Sequence, residues 1–103
     1  MHVISKKPFV VAAELFPNTR NALLNLYKTL EKSDFDTPDA MRNVFPSLDN
    51  FKYRDKWWVL DIGGNHLRVI AAIEFKHQTM FVKHIVTHAE YDKLYSAYVR
   101  DKK

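Results

Sequence analysis

Apolar residues recur at Leu23, Leu26, Tyr27 and Leu30, a spacing that collects them on one side of a helix. Pro17 suits the first turn of that helix, because its missing N–H would have no intrahelical partner there, so the pattern predicts a helix over residues 17–32. The preceding stretch PFVVAAELF is apolar enough for a shorter helix over residues 8–16, and the two would form a helical hairpin. A third, small helix is expected in DTPDAMRNVFPS, capped by Thr37, opened by Pro38 and ended by Pro46, as connecting structure.

From Phe51 onward the period changes to two. KWWVLDI and HLRVIAAIEF are rich in β-branched and aromatic residues and flank GGN, where Gly63, Gly64 and Asn65 supply the positive φ angles of a tight hairpin. MFVKHIV follows a polar turn and completes a meander of three antiparallel strands. In the second of these strands Leu67, Val69, Ala71, Ile73 and Phe75 share one face, which is expected to pack on the leucine helix. Arg68 then points to the opposite, only partly apolar face, where a groove would form. Its bland reading is a surface arginine paired with a carboxylate such as Asp61. Trp57 and Trp58 fall on opposite faces, one expected in the core and the other exposed for stacking or a partner.

The stretch THAEYDKLY follows. Thr87 and Glu90 make a capping box, so a last helix begins here, and His88 stands at its first position with Tyr91 and Tyr95 on the same face. A helix N-terminus also attracts anions through its free amides. Helices that precede a curled sheet and a closing helix make the fold class α+β.

Composition narrows the function. A chain of 103 residues with 47% hydrophobic residues supports one core and one domain, residues 1–103. The absence of a long apolar run, and an N-terminal stretch unlike a secretory signal, lead to the expectation of a cytoplasmic protein with no membrane contact. With no cysteine, disulfide frameworks and thiolate metal cages are excluded. Residues 1–50 carry six basic and six acidic side chains, whereas residues 51–103 carry ten and six, so the whole net charge of +4 lies in the second half. That asymmetry fits an anionic partner such as RNA, or simply a soluble surface.

Three segments in order, FPSLDNF (45–51), VLDIGGNHLRV (59–69) and VKHIVTHAEYD (82–92), resemble the successive signatures of the HigB family of bacterial toxins over nearly the whole chain. The resemblance implies a RelE-like fold: N-terminal helices on a curled antiparallel three-stranded sheet, with a short C-terminal helix. It also implies an endoribonuclease acting on messenger RNA, typically at the translating ribosome, and held inactive by a HigA-type, helix-turn-helix antitoxin. Two positions depart from the family: Asp61 stands where asparagine is usual, and Lys83 where arginine is common.

Metal-free cleavage needs a base for the ribose 2′-hydroxyl, cations for the phosphate and an acid for the leaving 5′-oxygen. His88 is the candidate acid–base group, since histidine alone titrates near the working pH; its bland reading is a solvated helix-start residue. By resemblance Arg68 bears on the scissile phosphate, with Lys83 as a second cation, and Tyr91 stacks on a base or orients the phosphate. His66, Lys52, Lys56 and Tyr95 are candidate RNA contacts. His84, His88 and Asp92 have a metal-like spacing, but the strand-to-helix break between them destroys the shared face such a site needs, so neither metal nor cofactor is expected. The alternative to an enzyme is a non-catalytic RNA- or protein-binding module.

Overall fold

The computed structural model describes residues 1–52, 54–63 and 67–101. Its elements run β1 (His2–Val3), α1 (Lys7–Leu15), α2 (Arg20–Lys32), α3 (Pro38–Val44), β2 (Asp49–Asn50), β3 (Trp57–Ile62), β4 (Leu67–Glu74), β5 (Thr79–Thr87) and α4 (His88–Asp101). The helical hairpin forms as its periodicity requires. Pro17 opens a single 3₁₀ turn, Pro17–Thr19, in which the Thr19 hydroxyl donates to the Phe16 carbonyl at 3.0 Å, and the α-helix proper starts at Arg20. In α3 the Thr37 hydroxyl accepts from the Ala40 amide at 3.1 Å, the N-cap expected from its position before Pro38. This helix is more than a connector, for Met41 is fully buried.

The sheet corrects the expected meander. It has five strands in the order β1-β5-β4-β3-β2, with β1 parallel to β5 and every other pair antiparallel. The three long strands are those the alternation predicts; β1 and β2 have two residues each, too few to show a period of two. Buried Met1 and Val3 hold β1 in place, and the His2 amide donates to the Gln78 carbonyl at 2.7 Å. Gly63 has the positive φ of 63° expected in the hairpin, while Gly64, Asn65 and His66 lie outside the described residues.

Two apolar clusters form, one on each face of the sheet. Leu67, Val69, Ala71 and Ile73 join Leu23, Leu26 and Leu30 in the larger, as the odd-numbered face of β4 predicts, and Phe75 packs on its rim. Each fully buried leucine there contributes about 1.5–3 kcal/mol of transfer free energy. The smaller cluster is centred on Phe51, Val59 and Ile70, covered by Trp57, Tyr91, Leu94, Tyr95 and Tyr98. The two tryptophans divide as alternation requires, but both are half-buried, Trp58 against Phe75 and Trp57 against Phe51, so neither is the exposed platform anticipated.

The C-terminal helix is also not short. At 14 residues α4 is the longest helix described, because its Tyr91–Leu94–Tyr95–Tyr98 stripe has the Phe51 cluster to bury against.

Candidate active site at the start of the last helix

The capping box at Thr87 forms in full. The Thr87 hydroxyl accepts from the Glu90 amide at 3.2 Å, and the Glu90 carboxylate accepts from the Thr87 amide at 3.0 Å and from its hydroxyl at 3.1 Å. Thr87 is also the last strand residue, opposite Leu67 on β4, so the chain passes from sheet to helix without a loop. This junction sets His88 at the mouth of the helix, one step beyond the Arg68–Val86 and Leu67–Thr87 pairs. The His88 Nε2 atom is buried and has no hydrogen-bond partner among the described residues.

Arg68 lies on the α4 face of β4. Its Nε atom is 3.3 Å from an Asp61 carboxylate oxygen on the neighbouring strand, directly opposite in register, and the two side chains are 26% and 27% exposed. The pair is an ion pair without hydrogen-bond geometry, since the buried Nε makes no hydrogen bond among the described residues. The guanidinium carbon sits 4.5 Å from the centre of the Tyr91 ring, a cation–π contact. Burial raises the Tyr91 phenol above its ordinary value of 10.0, with the Arg68 charge opposing that rise. Tyr91 is therefore neutral at physiological pH, a hydroxyl donor beside a cation.

Tyr91 is braced from behind. Phe51 meets Tyr91, Tyr95 and Tyr98 edge-to-face at 6.4, 5.9 and 5.3 Å, and Tyr91 lies 5.9 Å from Tyr95. Beside these rings opens a polar cleft of about 490 Å³ whose lining includes Asp49, Asn50, Lys52, Tyr91, Asp92 and Tyr95. Lys52 and Tyr95 thus share a cleft with Tyr91. Asp49 and Asn50, in the FPSLDNF segment, carry no sequence signal beyond that motif, and Asp92, whose spacing from His84 and His88 suggested at most a metal ligand, lies in the cleft as a lining carboxylate.

Other expected residues are not gathered here. Lys56, in a left-handed turn, pairs its ammonium with Glu74 at 2.6 Å beyond the Trp57 end of the sheet; that bond raises the lysine and lowers the carboxyl. The rows through Trp57 and Arg68 are four residues apart on β3, roughly 13 Å. Lys83 falls where the β4–β5 register slips, between Ala71–Val82 and Ile70–His84, so it bulges from β5 and lays its ammonium 4.3 Å from the Phe81 ring and 5.5 Å from Trp57. Neither of these ring contacts is with the Arg68–Tyr91 pair. His66 lies outside the described residues. His84, on β5, meets the Tyr98 hydroxyl at 3.1 Å and so faces the aromatic cluster.

Residues 19–94 match the family model described as HigB_toxin, the RelE-like toxic component of a toxin-antitoxin system. The chain belongs to the HigB toxin family. The match includes Arg68, Lys83, His88 and Tyr91 and ends just before Tyr95. Similarity to curated HigB proteins extends further: the chain is 57% identical over 103 residues to the mRNA interferase HigB of Escherichia coli O6:H1, covering 100% of this chain and 99% of that one. It is 45% identical over 92 residues, 89% of this chain and 88% of the other, to the mRNA interferase toxin HigB of Escherichia coli K12. It is likewise 45% identical over 92 residues, 89% of this chain and 88% of the other, to the mRNA interferase HigB of Shigella flexneri. As a HigB-family toxin the chain implies an antitoxin partner. No helix among the described residues is long and apolar enough to cross a membrane.

Proposed function

We propose that this HigB-family chain is an endoribonuclease that cleaves messenger RNA, acting on the translating ribosome in the cytoplasm and neutralised by a HigA-type helix-turn-helix antitoxin. The 57% identity to an mRNA interferase along the full chain supports the reaction class. On this reading residues 1–103 are one RelE-like domain, with the short edge strands β1 and β2 added to the three-stranded core of the sheet.

The observation that carries the assignment is the pairing of Arg68 with Tyr91 beside the helix start at which the buried His88 Nε2 has no hydrogen-bond partner among the described residues. A buried imidazole nitrogen left without a bond is costly unless a ligand satisfies it. In the proposed step the ribose 2′-oxygen loses its proton, attacks the adjacent phosphorus and expels the 5′-oxygen, which takes up a proton. His88 carries one of these two proton transfers, a contribution of roughly 10²- to 10⁴-fold in rate. Arg68 neutralises the phosphate, and the Tyr91 hydroxyl, held neutral by burial, donates to a phosphate oxygen. Lys52 and Tyr95 carry the RNA along the adjoining cleft, whereas Lys83 acts at a distance as a field charge. The Asp61–Arg68 ion pair is the observation that favours a non-catalytic binding module instead, because it partly neutralises the cation.

Expression of the chain without antitoxin, beside His88→Ala and Arg68→Ala, tests the assignment. The parent should arrest growth and shorten translated messages, and both variants should abolish cleavage while their melting midpoints stay at the parental value. Parental cleavage by His88→Ala would remove the histidine from the chemistry, and intact transcripts with the soluble parent would favour the binding module.

A further inference from the structure

The outer edge of β5 is largely unpaired. β4 pairs with β5 from Thr79 to Thr87, whereas β1 covers the other edge only at Thr79 and Met80; the Ile4 amide makes the last bond, to the Met80 carbonyl at 2.9 Å. From Phe81 to Thr87 no described strand pairs with that edge. A groove of about 510 Å³ runs beside it instead, bordered by residues 81–86 and, on α1, by Pro8, Val11 and Leu15. Its walls are apolar and open: Leu15 is 69%, Phe81 46% and Val11 43% exposed. Proteins normally blunt such an edge, because its backbone groups template pairing with another chain. Here residues 81–86 span roughly 17 Å, enough to seat five or six residues of an added strand.

The charge of the groove selects among occupants. Among the described residues on its lining, Lys7 and Lys83 are the lysines and none is a carboxylate. An antiparallel second copy would bring one β5 edge against another and one basic Lys83 towards its counterpart. RNA would have to place a charged backbone along an aliphatic wall. An extended peptide with apolar residues alternating with Asp or Glu meets both the wall and the lysines.

We propose that this groove takes an extended acidic segment of the antitoxin, added as a strand to the outer edge of β5. Its apolar side chains pack on Val11, Leu15 and Phe81, and its carboxylates face Lys7 and Lys83. That the segment belongs to the antitoxin rests on the toxin reading above. The lining includes Lys83 but not Arg68, His88 or Tyr91, so the antitoxin anchors beside the candidate active site and obstructs by bulk.

The test uses the full-length chain and the antitoxin encoded by the adjacent gene, with Leu15→Glu and Lys7→Glu, two exposed positions outside the proposed cleavage machinery. Leu15→Glu should weaken antitoxin binding about tenfold or more, and Lys7→Glu less, while message cleavage by the free variants and their melting midpoints stay parental. Amide hydrogen exchange at Phe81–Val86 should slow when the parent binds antitoxin. The proposal is overturned if both variants bind within about twofold of the parent, if the protection falls elsewhere, or if the adjacent gene's product does not bind the parent. It is equally overturned if the free parent is a dimer that Leu15→Glu dissociates, or if an RNA oligonucleotide rather than the antitoxin loses affinity in Leu15→Glu. Cleavage by the parent alongside groove-independent antitoxin binding sinks this inference alone; groove-dependent binding by a parent that cuts no message sinks the ribonuclease reading and leaves the docking surface standing.

Discussion

Asp61→Asn should make the toxin faster. The carboxylate stands opposite Arg68 in register, 3.3 Å from its Nε, and would lie near a phosphate taken up by the same guanidinium. A separation of roughly 7 Å between carboxylate and phosphate, at an effective dielectric of about 40–80 for a partly exposed site, gives a repulsion of about 0.6–1.2 kcal/mol. Removing it should raise the second-order cleavage rate about threefold to eightfold. Asparagine keeps an acceptor of the same shape, so Arg68 stays between the strand and Tyr91. The pair is partly solvated and lacks hydrogen-bond geometry, so its loss should change stability by less than about 1 kcal/mol. The assay is message cleavage in a reconstituted translation reaction with the toxin limiting, at low and at high salt. The gain should be largest at low salt and shrink as ions screen the carboxylate. A rate that is unchanged or falls would mean that Asp61 serves the site by holding Arg68, and that the repulsion reasoning is wrong.

Thr87→Ala removes the acceptor for the Glu90 amide and should cost about 1 kcal/mol in denaturant unfolding, with antitoxin affinity retained; a neutral result would mean that the cap is redundant with the packing of α4. Phe51→Ala deletes the ring that braces Tyr91, Tyr95 and Tyr98, so it should cost about 3–5 kcal/mol and flatten the near-ultraviolet circular dichroism of the aromatic cluster, and a smaller loss would show that the tyrosines close over the gap. Burial, and then the neighbouring Lys83 charge, lowers the His84 imidazole below its ordinary 6.5, so the unfolded chain takes up its proton first as pH falls. That contribution is fully present above about pH 6.5 and is lost as pH drops through the lower folded value. His84→Gln should therefore flatten the stability profile on the acid side of neutrality, and a slope as steep as the parent's would assign it to other groups.

The leucine stripe of α2, the alternation along β3, β4 and β5, and the Thr37 and Thr87 caps are all visible in the sequence, because each is a local rule: a helical or strand period, or a side chain bonding an amide three residues on. The alternation in β4 also places Arg68 on the face away from the leucines before any contact is known. Local rules reach no further. β1 and β2 are held by backbone bonds to strands distant in the chain, and two residues cannot display a period. The bulge that turns Lys83 toward Phe81 and Trp57 exists only once β4 and β5 are paired. Whether Arg68 meets Asp61, Tyr91 or both depends on strand register and on where α4 lies, and α4 lies where Phe51, forty residues earlier than Tyr91, offers a surface to bury its tyrosines. Residue types and local spacing thus determined which side chains are candidates for the chemistry, while long-range pairing and packing decided which of them meet, since neither is encoded within any one window of the chain.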